Sequence, residues 1–447
     1  MSEFLPQECE LHVHLGGCFH LDDLFDLGRE VYGDVDWALF RESQRQVYGV
    51  DAAADPIDLF RSAQLQGGPQ PLRRHYIHGD ADGADFGRFM TKMNLLICLY
   101  RHWRDVLGRE NELVERIVER HRAEGVRYVE YRSAFPGSAS ADAAGFISFH
   151  RANARFLKKA STAQFTANYI PSIPRWEPQL GYGLVRQLLG DEPDLHDTII
   201  GVDFCNVEEG YPPKSARDTL EQVSIDNKTH PEQQLDVVYH VGEMYFDKSL
   251  ESAVRWCHEA GLFGARRIGH AIALGLDPEV SLARRSRGHE SESVSERLDQ
   301  IDYDLRNSDG LAAFGVRIDE AELEGEGQQL QHRDPAELTR RPYSTDRMAQ
   351  IRRRQDFVLN ALEQLGTVVE ICPTSNRVLG GVTDPAQHSM HRLLASGVDV
   401  VIGADDPGIF DSTLADEVEW VRTHSGLGAD ATDERLGDPM RFRLGAG

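Results

Sequence analysis

Residues 9–15 read Cys9-Glu10-Leu11-His12-Val13-His14-Leu15, a short apolar run whose polar side chains fall at every second position. Residues two apart on a strand point to the same side, so His12 and His14 are expected to face one way from a buried strand. Seven more runs of this kind follow, at 126–131, 164–170, 198–205, 235–240, 265–268, 367–371 and 398–402. Several are nearly continuous in apolar residues, which suits strands covered on both faces. Helix-patterned stretches lie between them, for example at 111–122, 144–159 and 356–365. Strand and helix alternation implies parallel strands joined by right-handed crossovers. Eight such units fit an α/β fold of the (β/α)8 barrel class. A doubly wound open sheet is the alternative, and periodicity does not separate the two.

The 447 residues suit one large domain or two ordinary ones. A (β/α)8 barrel takes about 250 residues and exceeds 400 with insertions, so one domain over 1–447 is expected. Two stretches exceed an ordinary crossover. Residues 33–106, between the first and second strands, carry helix-like pieces expected to form a lid. Residues 277–343, between the sixth and seventh, are rich in Glu, Asp, Ser, Arg and Gly. Their acidic centre, 290–326, reads in part as mobile surface.

A net charge of −25 opposes binding to nucleic acid polymers or anionic membranes, since phosphate contacts need a basic face. Four basic clusters stand out against it: Arg73-Arg74-His75, Arg284-Arg285-Ser286-Arg287, Arg340-Arg341 and Arg352-Arg353-Arg354. One of them at the barrel mouth could clamp a phosphate; the bland reading is a solvated or salt-bridged surface. The six cysteines are scattered, with no C-x-x-C pair, and read neither as a disulfide framework nor as a thiolate zinc site. The first residues carry no secretory pattern, and no apolar run approaches the roughly 20 residues that span a bilayer. The expected location is cytoplasmic. A homo-oligomer is left open.

Most of the chemistry-bearing residues fall at the carboxyl ends of the expected strands, where barrel enzymes place their sites. A lone His-x-His in a chain with 18 histidines is a weak signal. However, the fifth strand ends in His240-Val241-Gly242-Glu243, the sixth in Arg267-Ile268-Gly269-His270, and the eighth in Gly403-Ala404-Asp405-Asp406-Pro407. Each has a bland reading as a hydrogen-bonded histidine, a helix cap or a solvated loop. Four separate strand ends acquiring such residues independently is a poor explanation of all of them. Three histidines and a carboxylate suit zinc or another borderline divalent metal.

With these residues in view, the chain resembles the adenosine deaminase family of metal-dependent hydrolases. The matching segments are 10–17 (ELHVHLGG), 126–132 (VRYVEYR), 240–243 (HVGE), 267–270 (RIGH), 370–376 (EICPTSN), 388–394 (HSMHRLL) and 404–407 (ADDP), in the family's order. The resemblance implies one zinc ion per chain, held by His12, His14, His240 and Asp405. It implies that His270 orients and deprotonates a water, that protonated Glu243 donates to ring nitrogen 1 of a purine, and that Asp406 hydrogen-bonds ring nitrogen 7. The implied reaction is hydrolytic deamination of a 6-aminopurine nucleoside such as adenosine or 2′-deoxyadenosine. A deaminase of an adenine nucleotide or of a 5′-modified adenosine is the alternative. A non-catalytic nucleoside-binding scaffold is disfavoured, because Glu243 and His270 are both retained.

The fourth strand has no lysine, which argues against two-metal relatives bridged by a carbamylated lysine. The lack of paired cysteines argues against the cytidine deaminase type. Three departures from the family bear on the substrate. Gly16 stands where relatives often carry an acidic residue facing the ribose, which removes a source of repulsion towards phosphate. Asn206, in Asp203-Phe204-Cys205-Asn206-Val207-Glu208, replaces a glycine whose N–H contacts ring nitrogen 3; asparagine tolerates left-handed backbone better than most residues. Only 40 residues follow Pro407, so a reduced C-terminal cover of the barrel is expected.

Overall fold

The structure is a computed structural model and describes residues 4–50, 54–285 and 290–445. Its main sheet contains β1 (Cys9–His14), β2 (Tyr128–Ala134), β3 (Thr166–Ser172), β4 (Gly201–Phe204), β5 (Asp236–Val241) and β6 (Arg267–His270). A short antiparallel pair, β7 (Glu292–Ser293) and β8 (Leu338–Thr339), stands apart from it. β9 (Val368–Ile371) and β10 (Val400–Ile402) complete the main sheet. The order is β1-β2-β3-β4-β5-β6-β9-β10, all parallel. The sheet closes on itself beyond β10: His14 N donates to Asp405 O at 2.8 Å, and Asp405 N donates to His12 O at 2.9 Å. The eight runs found in the sequence are thus the eight strands of a (β/α)8 barrel, and the open-sheet alternative falls.

The strands form because Val, Ile and aromatic residues bury both faces: Val129, Tyr131, Val202, Val238, Ile268 and Val369 are all inaccessible. Helices such as Ala143–Ala160 and Leu250–Leu262 cover the outside. Several strand boundaries move relative to the sequence reading. β2 begins at Tyr128 and continues to Ala134, because the polar residues Arg132 and Ser133 are buried at the mouth. The helix expected at 356–365 begins at Thr345 with a Ser344 cap that accepts from Arg347 N.

The opposite end of the barrel is plugged by the C-terminal tail. Phe442 packs with Cys9, Leu11, Tyr128, Val368 and Val401, while Leu444 packs with Ile170, Ile200 and Val238. The short stretch after Pro407 therefore does cover the barrel, but at its floor. Among the described residues of 33–106 lie four α-helices, Ala38–Tyr48, Pro56–Gln66, Gln70–Tyr76 and Phe86–Arg101; the last lies across the barrel mouth and lines its cavity.

The segment 277–343 departs from its expected character. Its acidic centre carries the helices Val294–Arg306, Ser308–Ala313 and Glu320–Leu330, and Glu290, Glu292 and Glu296 are buried. Their charges are matched by arginines distant in sequence. Arg347 pairs with both Glu251 and Glu290, Arg341 with Glu292, and Arg255 with Glu296. Among the described residues no helix is long and apolar enough to cross a membrane.

Candidate metal and substrate site

The carboxyl ends of β1, β5 and β10 bring His12, His14, His240 and Asp405 together, with one ligand atom from each lying within 4.8 Å of every other. His14 Nε2 lies 3.1 Å from His240 Nε2, and Asp405 Oδ1 lies 3.5 Å from His12 Nε2 and 3.3 Å from His14 Nε2. His12 Nε2 is buried without a hydrogen-bond partner. Lone pairs converging this closely repel one another unless a cation or proton lies between them, so the donor set fits a divalent metal.

The neighbours of these histidines fix which nitrogen faces the centre. His12 Nδ1 lies 2.7 Å from Glu370 Oε2, and His240 Nδ1 lies 2.9 Å from Asp203 Oδ1. Each carboxylate accepts a hydrogen bond from Nδ1–H, which leaves Nε2 as the inward lone pair. Glu370 is itself held by Arg132 and by Arg267 Nε at 2.7 Å. Space for His12 comes from two glycines: a Cβ at Gly269 would sit 2.8 Å from His12 Cε1, and one at Gly403 would sit 2.5 Å from His12 Cβ.

Backbone strain aims the remaining side chains. Asn206, His270, Ala271 and Asp405 all have positive φ, at 71°, 67°, 46° and 61°. Left-handed backbone in non-glycine residues is costly and persists where the surroundings over-determine it. At His270 and Asp405 it turns the strand end so that the side chain enters the mouth.

His270 Nε2 lies 3.7 Å from Glu243 Oε2, and its Nδ1 is 2.8 Å from Asn376 Oδ1. Glu243 sits on a turn whose backbone is gripped by one buried carboxylate. Glu208 accepts from Gly242 N at 3.0 Å, Glu243 N at 3.2 Å and Met244 N at 3.1 Å. Burial raises the Glu243 carboxyl above the usual carboxylate range; the nearby His270 opposes this, while Asp405 and Glu208 add to it. Burial and the adjacent Asp405 push Asp406 up to about 7. Asp406 Oδ1 has no hydrogen-bond partner, and any side chain at Gly17 would overlap its carboxylate.

All these groups open on one cavity of ≈ 330 Å³, whose lining includes His14, Gly16, Asn206, His240, Glu243, His270, Asp405 and Asp406. A cleft of this size suits a small organic molecule. Every residue singled out from the sequence thus lies at this mouth, with His12 just beneath its surface. Gly16 has open space where a Cβ would be. The sequence reading gave no role to Asp203, Glu208, Glu370 or Asn376. The signal available for them was position: each lies at or just beyond the carboxyl end of an expected strand.

The basic clusters lie elsewhere. Arg73 pairs with Asp411, Arg352 with Asp277, and Arg354 with Asp304; Arg353 donates to Gly315 O. Arg285 donates to Lys248 O, and Ser286 and Arg287 lie outside the described residues. Of the arginines and lysines, only Arg132 lines the cavity among the described residues.

Residues 348–436 match the family model described as adenosine deaminase. An adenine deaminase from Rhizobium leguminosarum bv. trifolii (strain WSM2304) is 47% identical over 62 residues, which are 14% of this chain and 19% of the relative. The chain spans about a fifth of the length of the first curated relatives that it matches. Among solved structures, the adenine deaminase from Arthrobacter aurescens superposes with a TM-score of 0.54 at 16% identity, covering 99% of this chain and 94% of that one. The Arabidopsis ADAL complexed with IMP gives 0.55 at 15% identity, covering 99% and 93%. These two likenesses bear out the fold. The resemblance to the adenosine deaminase family is borne out by the family model and the local identity with a deaminase.

Proposed function

We propose that this protein is a metal-dependent aminohydrolase that removes the 6-amino group of an adenine-type base, with a 6-aminopurine nucleoside such as adenosine as substrate. One observation carries the reading: a metal-type donor set, a protonatable glutamate and an unpartnered aspartate all open on one cavity. Zinc is the favoured metal, one per chain, held by His12, His14, His240 and Asp405. When bound, a divalent metal of this kind supplies an activated water at neutral pH.

The chain's own groups divide the remaining work. His270, held through Nδ1 by Asn376, takes the proton of the attacking water. Glu243, its carboxyl raised by burial, carries a proton and donates it to ring nitrogen 1. That donation draws electrons from carbon 6. Asp406 Oδ1, free of protein partners, meets ring nitrogen 7; its raised carboxyl suits it to donate. Oxygen from water adds to carbon 6. The proton held by His270 passes to the exocyclic nitrogen, its bond to carbon 6 breaks and ammonia leaves. Nitrogen 1 keeps the proton from Glu243, and the proton on the carbon 6 hydroxyl restores the Glu243 carboxyl as the carbonyl forms. General acid catalysis of this sort contributes about 10²–10⁴-fold.

The test is ammonia release by zinc-loaded protein from adenine, adenosine, 2′-deoxyadenosine, AMP and ATP, with a chelator-treated control. Chelator-sensitive release from at least one is expected. Zinc-loaded protein inert towards all five would remove the reading. The nucleotide alternative draws on the Arabidopsis protein's complex with IMP. The lining of this cavity favours an uncharged substrate, for the reason developed next.

A further inference from the structure

The cavity lining has two unlike parts. One is the polar set at the strand ends, His14, His240, Glu243, His270, Asp405 and Asp406. The other is a single face of the helix Phe86–Arg101, which lies across the mouth. Phe86, Phe89, Met90, Met93, Ile97 and Tyr100 line the cavity, and their spacing of three and four places them on one side of the helix. Phe135, Phe149 and Leu379 add to the apolar lining.

The charged residues of this helix are absent from the cavity lining and have partners in the protein. Lys92 donates to Ile77 O and pairs with Asp82 at 2.7 Å; Arg88 pairs with Asp85 at 3.4 Å; Arg101 donates to Pro136 O at 2.7 Å. The Tyr100 hydroxyl is spent on Glu110 Oε1 at 2.9 Å. Arg132 is buried, and its Nη2 donates to Glu370 and to Leu11 O, while its Nε has no partner. A phosphate entering along this helix face would therefore lose its hydration and gain no cation from the helix. Phe89 stacks on Phe410, with ring centroids 5.7 Å apart, so the apolar face is anchored to the loop that follows Asp406.

This inference rests on the deaminase reading above. With carbon 6 at the metal, nitrogen 1 at Glu243 and nitrogen 7 at Asp406, the purine presents nitrogen 9 away from the metal. The nitrogen 9 substituent is then the part that meets the apolar lining. We propose that this lining is a specificity subsite for an uncharged apolar or aromatic group carried at the far end of that substituent. The substrate class is a 5′-modified adenosine with a thioether, alkyl or aryl terminus, in preference to adenosine and against AMP.

The experiment compares kcat/KM of the zinc-loaded full-length protein for adenosine, AMP, 5′-methylthioadenosine and 5′-deoxy-5′-(benzylthio)adenosine. Even one methylene in an apolar pocket discriminates about tenfold or more. The thioethers are expected to exceed adenosine by at least about tenfold, with AMP below adenosine. Adenosine equal to the thioethers, or AMP preferred, overturns the subsite while leaving the deaminase reading intact. Met93→Gln keeps the side chain's length and adds a polar amide. It should cut the thioether-to-adenosine ratio by about tenfold, and because the ratio is internal to each preparation, partial misfolding cancels. An unchanged ratio also overturns the subsite. If no compound turns over, the deaminase reading fails separately. Calorimetric titration with the benzylthio compound and AMP then reads the subsite directly: tighter binding of the thioether supports it, and equal or weaker binding removes it.

Discussion

Two assemblies of buried charge lie on either side of the helix Leu250–Leu262, and they are built from the same residue types. Inside the barrel, beneath the donor set, Arg132, Arg267, Glu130 and Glu370 are inaccessible and linked through shared ion pairs. At the insertion, Arg347 makes a two-pronged contact with Glu251, at 2.8 Å for each prong, and also reaches Glu290. Each leaves guanidinium nitrogens without partners, Arg132 Nε in the first; what differs is the other groups left over. Above the first assembly they are imidazole nitrogens and carboxylate oxygens converging on a point. In the insertion, the guanidinium nitrogens of Arg255, Arg285 and Arg341 are among those without partners, and such donors cannot bind a cation. Burial of charge is therefore common to both; convergent lone pairs are what mark the site.

The comparison breaks most sharply at the ligands. His240→Ala removes one converging lone pair, so zinc content measured on purified protein should fall well below one per chain, and ammonia release with it. Zinc content unchanged from wild type would show that the donor set is wrong. Glu243→Gln leaves the ligands intact. It should keep full zinc and lose about 10²–10⁴-fold in kcat, the usual worth of a general acid; a near-normal rate would take Glu243 out of that role.

Glu208 sharpens the contrast, because it is a buried carboxylate that acts on the site only through the backbone. It grips three successive N–H groups of the turn that carries Glu243. In Glu208→Gln the amide keeps one acceptor oxygen, and its NH2 faces donors. Hydrogen bonds to charged groups contribute about 1.5–3 kcal/mol each, so a loss of roughly one of them predicts a tenfold or larger fall in kcat at unchanged zinc content. A fall in KM or zinc content alone would point to a different role.

Much of this was legible in the sequence, for a physical reason. Strands of a parallel barrel are covered on both faces, so each appears as an apolar run, and polar residues ending such a run stand out. His12, His14, His240, Glu243, His270, Asp405 and Asp406 were found that way. Partnerships were not legible. His12 and Glu370 are 358 positions apart, and no local pattern joins them. The same limit holds at the insertion, read in part as mobile surface: composition showed its acidic residues and Arg341, but not that Arg255, Arg341 and Arg347 pair with Glu296, Glu292 and Glu290. The apolar stripe on Phe86–Arg101 had a readable spacing, yet only the fold shows that it lines the cavity onto which the donor set opens.

The smallest effect on activity is expected at the insertion, where Arg347→Met tests whether buried charge there serves structure alone. Removing one member of a buried ion pair leaves the other uncompensated, at a cost of about 3–5 kcal/mol. Here two carboxylates, Glu251 and Glu290, lose a partner. The variant should melt earlier at pH 7 while keeping its zinc and most of its kcat. Acid supplies the sign. Burial opposes ionisation of Glu251, but Arg347 and Arg341 hold its carboxyl well below the usual range. Its contribution to stability is therefore present above the unfolded value of about 4.3 and is lost as pH falls through the folded one. The melting gap between wild type and Arg347→Met should accordingly narrow below about pH 4, as wild type loses what the variant already lacks. A gap that stays constant down to the acid limit would assign the loss to packing of the arginine stem. A kcat that falls with the melting temperature would mean that the insertion's charges reach the site after all.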